Sequence, residues 1–203
     1  MKRVCENWKE HFPAGKVGQE HFAEFETRAK NVGTEMFHVK TAAEAQEIIA
    51  KLAADVNAKK VVAIHSAYVD ASGALEKLQQ QNVTVYTEAA DIAEHVETAD
   101  LGISTVEFAI AESGSVCYDG YAYESRVVTM LPPLHVVFLP ASHVVPGISE
   151  AFEILSKVFH HGFTGFITGP SRTSDIERVL TIGVHGPSRF VVIAVDEMPG
   201  GAN

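Results

Sequence analysis

The sequence has 203 residues, of which 46% are hydrophobic and 21% are charged, a balance that is typical of a soluble globular protein and excludes a disordered chain. Asp and Glu number 26 against 16 Lys and Arg, so the formal net charge is −10, and this excess of acid disfavours binding to nucleic acid or to an anionic membrane. The two cysteines, Cys5 and Cys117, are too few for this chain to hold a four-thiolate cluster or zinc site by itself.

The start of the chain carries no signal-peptide pattern, because Glu6, Lys9 and Glu10 interrupt it before an apolar run can form. The longest apolar stretches, such as the one at 134–139, are too short to span a bilayer. We therefore expect no membrane span, a cytoplasmic location and two free thiols.

Residues 1–31 are predicted to be a polar lead with one helix, and residues 32–203 to be the main domain. Helices and short strands alternate at a spacing of roughly 20 residues, which is typical of a mostly parallel sheet covered by helices. Thr41 and Glu44 form a capping box for one helix. The predicted elements of the first half are a helix with Val17, Phe22, Phe25 and Ala29, strands at 37–39, 61–64 and 83–86, and helices with Ala45, Ile48, Ile49 and Leu52, with Leu75 and Leu78, and with Ile92 and Val96.

The second half combines buried strands with loops rich in Gly, Ser and Pro. Strands are predicted at 101–103, 116–118, 136–139 and 190–195. One amphipathic helix carries Ile148, Phe152, Leu155 and Phe159 and is predicted to end at Gly162. Loops at strand ends are where α/β proteins place their sites, so we expect any chemistry in this half.

The segment at 169–177 is the first candidate site. Ser174 and Glu177 fit a capping box, which predicts that a helix begins here. The free N–H groups of a helix N-terminus and the guanidinium of Arg172 together suit a carboxylate or phosphate. The alternative is a well-capped helix beside a solvated or structurally paired Arg172.

His185 lies between Gly183 and Gly186, a pattern that predicts a tight turn with an aimed imidazole. Histidine is well suited to proton transfer near neutral pH, although a histidine in a turn also commonly bonds a backbone carbonyl.

Ser104 and Glu107 form another capping box, which predicts a two-turn helix that ends near Gly114. Glu112 stands at its exit in a largely apolar stretch. It is a candidate general base, and the alternative is an ion pair with an arginine, for which the sequence offers Arg126, Arg172 or Arg189.

Other templates are absent from the sequence. It contains no GxGxxG, GxxxxGKS, GxSxG or HExxH motif, and the adjacent His160 and His161 would point in different directions from a helix. We therefore predict no metal site.

Three loops and a strand, taken together, identify a family. The segments GISTVEFAIAESGS (102–115), LPPLHVVFLP (131–140), ITGPSRTSDIERVLTIGVHGP (167–187) and FVVIAVDE (190–197) resemble, in this order, the LUD domain of the lactate-utilisation protein C family. The resemblance is dense over about 97–196 and loose before it.

The resemblance implies an α/β fold of three layers around a mixed, mostly parallel sheet, similar to the phosphosugar-isomerase and CoA-transferase-like fold. It also implies a role in bacterial oxidation of L-lactate to pyruvate, beside a cysteine-rich partner and an iron–sulfur partner that carries its own LUD domain. The motif positions that carry over are Glu112, Gly114, Gly169, Ser171, Arg172, Thr173, Asp175, His185 and Gly186.

The leading hypothesis is a subunit that binds no cofactor itself, with iron–sulfur clusters held by its partners. Arg172 and the amides after Gly169, with Ser171, Thr173, Ser174, Asp175 and Gly186, would hold a small carboxylate, and Glu112 or His185 would act as acid or base. Two alternatives stay open, which are a non-catalytic subunit that docks the iron–sulfur partner and an independent enzyme acting on a sugar phosphate or CoA ester.

Overall fold

The computed structural model describes residues 1–173 and 181–199. Its α-helices are α1 (Phe22–Asn31), α2 (Ala45–Asp55), α3 (Ala67–Ser72), α4 (Ala74–Gln80), α5 (Ala89–His95), α6 (Tyr123–Met130) and α7 (Ile148–Val158). Its strands are β1 (Glu35–Val39), β2 (Lys60–Ala63), β3 (Thr84–Tyr86), β4 (Leu101–Thr105), β5 (Phe108–Ile110), β6 (Ser115–Asp119), β7 (Leu134–Pro140), β8 (Val144–Val145), β9 (Thr164–Ile167), β10 (Arg172–Thr173), β11 (Thr181–Ile182) and β12 (Arg189–Val195). Short 3-10 turns lie at Trp8–His11, Gln19–His21, Ala42–Glu44 and Val96–Thr98. Within these ranges, no helix has the length and apolar character needed to cross a membrane.

Six strands form a central sheet in the order β1-β12-β7-β4-β2-β3, and each neighbouring pair is parallel. The central strands are continuous apolar runs because both of their faces are covered; residues 190–195 of β12 are all buried. Helices α2, α3 and α4 cover one face, with Ile49 and Leu78 fully buried against it. The predicted α/β architecture, a largely parallel sheet flanked by helices, is confirmed.

The other face of the central sheet has two covers. Helices α5 and α6 pack over β2 through Ile92 and Val128. Beside them, α1 and a second sheet pack over β7 and β12; this small sheet has the order β8-β5-β6-β9 and mixes parallel with antiparallel pairs. The outer face of the small sheet is covered by α7 and by Trp8 in the N-terminal 3-10 turn. The N-terminal residues therefore lie on the small sheet.

The two-turn helix predicted up to Gly114 is wrong, because this stretch contains the end of β4, the strand β5 and a hairpin turn into β6. Phe108 and Ile110 pack toward α7 while Ala109 packs toward the central sheet. This alternation has the period of two that a strand requires. Gly114, with φ of +67°, forms the turn.

The amphipathic helix exists as α7, but it ends at Val158 and not at Gly162. Its packed face consists of Ala151, Ile154 and Val158. Of the predicted stripe, Leu155 is half-buried against this core, and Ile148, Phe152 and Phe159 are exposed.

Candidate functional site

Polar side chains collect where the carboxyl ends of β2, β4 and β7 meet. Ser66 follows β2 and Thr105 ends β4, and their hydroxyl oxygens lie 2.6 Å apart. Ser66 Oγ also accepts a hydrogen bond from Val69 N at 3.2 Å, which caps the start of α3. Glu107 follows β4 and His143 follows β7. Ligands of open parallel sheets bind beyond the carboxyl ends of the strands, so this is the candidate site on fold grounds.

We call this cluster the carboxyl-edge site; it comprises Arg3, Ser66, Tyr68, Thr105, Glu107 and His143. Glu107 is its central acid, with 15% of its side chain exposed and Arg3 Nη2 donating to its Oε1 at 2.6 Å. Burial raises the pKa of Glu107 to about 7, the Arg3 guanidinium opposes this rise, and the Asp119 charge adds to it. A carboxyl group with this pKa can both give and take a proton near neutral pH.

Arg3 reaches Glu107 because the N-terminal segment is fastened to Asp119. The Asp119 carboxylate accepts hydrogen bonds from Val4 N at 2.8 Å and from Trp8 Nε1 at 3.2 Å. Arg3 Nε donates to the Cys5 carbonyl at 3.2 Å. Its third nitrogen, Nη1, has no hydrogen-bond partner within residues 1–173 and 181–199. Arg3 Nε also lies 3.9 Å from Asp119 Oδ2, so two carboxylates face the guanidinium and Nη1 is the nitrogen left open to an anion.

Tyr68 and His143 bring two buried polar atoms without partners. The Tyr68 hydroxyl is unpaired within the described chain, and burial raises the pKa of Tyr68 to about 12, so it stays protonated. His143 Nδ1 lies 3.0 Å from the Glu107 carbonyl oxygen, which can only accept, so Nδ1 donates. Burial lowers the pKa of His143, and the neutral ring leaves a lone pair on Nε2, which is also unpaired. Unpaired buried polar atoms are costly, and they commonly mark sites where a ligand completes the bonding.

Two cavities adjoin these groups, and Thr105 and Glu107 line both. The larger, of about 560 Å³, is also lined by Tyr68, Trp8 and His143. The smaller, of about 90 Å³, is lined by a set that includes Arg3, Ser66, Asp119 and His65, and His65 Nδ1 lies 2.5 Å from Asp70 Oδ1 at its rim. The larger volume lies within the range of about 300–1,000 Å³ that is usual for ligand pockets, and the smaller is several times the ~10–15 Å³ that one water needs.

The loop at 169–173 lies at the opposite, amino-terminal edge of the central sheet. Arg172 donates from Nη2 to the carbonyl of Val32, at the end of α1, at 2.6 Å. A Cβ on Gly169, which has φ of +75°, would lie 2.4 Å from the same oxygen. Arg172 is exposed, and it satisfies a helix C-terminus in this structure. The helix predicted to begin at Ser174, and with it Asp175, lies outside the described residues.

The turn that carries His185 lies beside this loop. Ser171 N donates to the Pro187 carbonyl at 2.8 Å, and a Cβ on Gly186 would lie 3.1 Å from Ser171 Cβ. Thr173 pairs with the strand that leads into this turn, and His185 itself is exposed. The structure thus brings the two predicted loops together, and their role in anion binding stays a prediction.

Glu112 is exposed in the turn between β5 and β6, and no hydrogen bond joins it to either loop within the described residues. Its Oε2 accepts a hydrogen bond from Ile148 N at 3.0 Å, which stabilises the first turn of α7. It forms no ion pair with the three arginines proposed for it, since Arg126 donates to the Gly120 carbonyl, Arg172 to that of Val32, and Arg189 to Glu35. A catalytic role for Glu112 stays a prediction.

The residues of the carboxyl-edge site escape motif-based prediction. The sequence pattern assigns Glu107 to a capping box. Because a helix is wrongly predicted here, the pattern does not show that β4 ends just before Glu107. A usable signal exists in polar pairs that directly follow apolar runs, namely His65–Ser66 after 61–64 and Ser104–Thr105 after 101–103. Arg3 has no comparable signal, because it is distant in sequence from all of them.

Fold and site together define an α/β protein whose candidate ligand site lies beyond the carboxyl ends of a parallel sheet. The family profile of the LUD domain matches residues 22–195, and the chain belongs to the LUD domain family.

Proteins of several bacteria are similar to this chain. The chain is 31% identical to lactate utilization protein C of Halalkalibacterium halodurans over 159 residues, covering 75% of this chain and 69% of the relative. It is 36% identical over 106 residues to lactate utilization protein C of Bacillus subtilis, covering 50% of this chain and 44% of the relative. It is also 29% identical over 163 residues to the uncharacterized protein YkgG of Escherichia coli. The matched region therefore spans about half to two thirds of these curated relatives named for lactate utilisation.

The crystal structure of a DUF162 family protein from Deinococcus radiodurans has the same fold. Its TM-score against this chain is 0.60 at 21% sequence identity, covering 87% of this chain and 96% of that one.

Proposed function

We propose that this protein works in lactate utilisation and that its carboxyl-edge site binds a small hydroxy or keto acid such as L-lactate or pyruvate. The names of its relatives support the pathway. The observation that supports the ligand is the contact between Arg3 and Glu107, which puts a cation with an open donor, in the lining of the smaller cavity, beside a proton-exchanging carboxyl group that lines both cavities. The site differs from the loops that the motifs favour.

The groups present match the parts of a 2-hydroxy acid. Arg3 Nη1 would hold the carboxylate, since guanidinium–carboxylate bonds are strong and directional. Oxidation of a 2-hydroxy acid to a keto acid removes two electrons, the hydroxyl proton and the hydrogen on C2. Glu107 would take the hydroxyl proton, and the electrons and the C2 hydrogen would go to the partner proteins. The paired hydroxyls of Ser66 and Thr105 would orient the ligand between them. This chain then performs binding and proton transfer.

Electron transfer would belong to partners, an iron–sulfur protein with its own LUD domain and a cysteine-rich protein. The residues of this chain do not fit a cluster. It has two cysteines, fewer than the four thiolates that a cluster takes, and burial raises the pKa of the Cys117 thiol well above its ordinary value. Within the described part of the chain, no three His, Cys, Asp or Glu side chains are grouped for a metal ion.

Calorimetric titration of pyruvate and of L-lactate tests the site, with Arg3→Gln and Arg172→Gln as a matched pair. Arg3→Gln removes the cation beside Glu107 and should weaken binding by roughly 10-fold to 100-fold, as expected for a lost charge-assisted bond. Arg172→Gln should leave binding unchanged. The reverse pattern would move the acid site to the amino-terminal edge, and absence of binding to the wild type, alone and with its partners, would reject the proposal.

A further inference from the structure

We propose that α7 and β9 form the surface through which two copies of this chain associate about a two-fold axis. The surface has an exposed apolar stripe, made of Ile148 and Phe152 on α7 and Phe159 directly after it, which are 46%, 59% and 47% exposed. Phe166 of β9, 41% exposed, lies beside it with its ring centroid 6.5 Å from that of Phe152. The helix therefore has two apolar sides. The side with Ile154 is buried within the chain, and the side with Phe152 is exposed.

The edge of the small sheet beside this stripe is open to another strand. Strand β9 is the last in the order β8-β5-β6-β9. The Phe163 carbonyl accepts from Gly120 N at 2.9 Å, so it points toward β6, and the backbone groups of Thr164 and Phe166 point to the free side. The strand TGFI contains no proline and no charged residue, the usual devices that block pairing at an edge.

The charges around the stripe favour a second copy over a charged partner. Lys157 Nζ lies 3.0 Å from Glu153 Oε1, and Lys16 Nζ lies 3.5 Å from Glu153 Oε2 and 3.6 Å from Glu150 Oε1. These acids are neutralised within the chain, so the surface is not strongly acidic although the molecule carries a net charge of −10. A copy of the same surface presents the same mixture of signs and meets no local repulsion.

The symmetry of the two elements is consistent with this assignment. Antiparallel pairing of β9 with the β9 of its copy is possible about a two-fold axis, and it would extend the small sheet from four strands to eight. The two α7 helices would then lie on the same face and join their stripes. The exposed apolar area, on the order of 300–400 Å², would form the centre of an interface of about 800 Å² per partner.

Sedimentation velocity of the purified full chain at 1–100 µM tests the dimer, with far-UV circular dichroism to verify folding. Phe152→Glu places a charge in the centre on both sides of the axis and should raise the dissociation constant by about 100-fold. Thr164→Pro removes the backbone N–H of residue 164, which points away from β6, and leaves the hydrogen bonds between β9 and β6 in place. It should raise the dissociation constant by about 10-fold. Val184→Glu, an exposed apolar position at the amino-terminal edge of the central sheet, is the control and should leave it unchanged.

A wild type that remains monomeric at 100 µM would overturn the proposal, and so would a dimer that Phe152→Glu does not weaken. A dimer weakened by Phe152→Glu and not by Thr164→Pro would keep the α7 contact and overturn the strand pairing. If the wild type stays monomeric and binds an iron–sulfur partner, and Phe152→Glu abolishes that binding, the surface belongs to that partner instead. None of these outcomes depends on lactate binding.

Discussion

At the scale of single residues, Glu107 links the stability of the fold to the chemistry of the site. Burial raises its pKa to about 7, against an ordinary value of 4.5, so the folded chain binds more protons than the unfolded chain between these two pH values. The contribution of Glu107 to the free energy of unfolding is therefore largest below pH 4.5 and is lost as the pH rises to about 7. A buried carboxyl group of this kind costs the protein stability at neutral pH.

Glu107→Gln keeps the side chain neutral and should abolish this loss. At pH 8 the variant should exceed the wild type in unfolding free energy by about 3 kcal/mol, and at pH 5 the difference should fall below about 1 kcal/mol. Urea denaturation at both pH values and one protein concentration measures the difference. Glu97→Gln, which replaces an exposed acid without a hydrogen bond in the described structure, should show the wild-type pH dependence. A Glu107→Gln profile parallel to the wild type would contradict the raised pKa.

At the scale of secondary-structure elements, the central strands and β6 of the small sheet are predictable from sequence, and the strand β5 beside it is not. Runs such as 136–139 and 190–195 are apolar throughout, and this pattern has few interpretations in a chain of alternating helices and strands. The stretch before Gly114 fits a capped helix locally, and only burial between two layers makes it a hairpin. The stripe of α7 points outward for a related reason, since its packed face depends on the shape of the sheet beneath it.

The hairpin turn gives a sharp test of this packing. A Cβ on Gly114 would lie 2.5 Å from Ala29 N in the backbone of α1, at a φ of +67°. Gly114→Ala should therefore lower the unfolding free energy by about 3 kcal/mol, from left-handed strain and from overpacking against a backbone that cannot move aside. Gly15→Ala has a similar φ of +70° and no atom within 4 Å, so it should cost only about 1 kcal/mol. Equal losses in the two variants, by thermal or urea unfolding, would show that the turn does not press on α1.

At the scale of the whole molecule, the N-terminal segment closes the candidate site from a distant part of the chain. Asp119 ends β6 and accepts hydrogen bonds from Val4 N, Cys5 N and Trp8 Nε1 at Oδ2, and from Tyr121 N at Oδ1. No motif in the sequence links Asp119 to Val4, Cys5 and Trp8, which lie more than 100 positions before it. The contact delivers Arg3 to the site, so ligand binding and the order of the first residues should change together.

Asp119→Asn should release this segment while the two sheets stay intact. An amide has one accepting oxygen and cannot serve donors on both sides of the group, so the variant should lose about 2 kcal/mol of unfolding free energy. Trp8 is the single tryptophan and is buried, and its fluorescence should shift to the red and become open to acrylamide quenching, while the far-UV circular dichroism is retained. Pyruvate binding should weaken as it does in Arg3→Gln.

Asp100→Asn is the matched control, because Asp100 Oδ2 also accepts two backbone N–H groups, from Lys59 at 2.7 Å and from Lys60 at 2.9 Å, where β2 begins. It should lower the stability less, because one amide oxygen can still accept both bonds, and it should not alter Trp8 fluorescence. A red shift in both variants would indicate general loosening of the fold. Trp8 emission unchanged in Asp119→Asn would mean that apolar packing against Phe108, at a ring distance of 6.2 Å, holds the segment without the carboxylate.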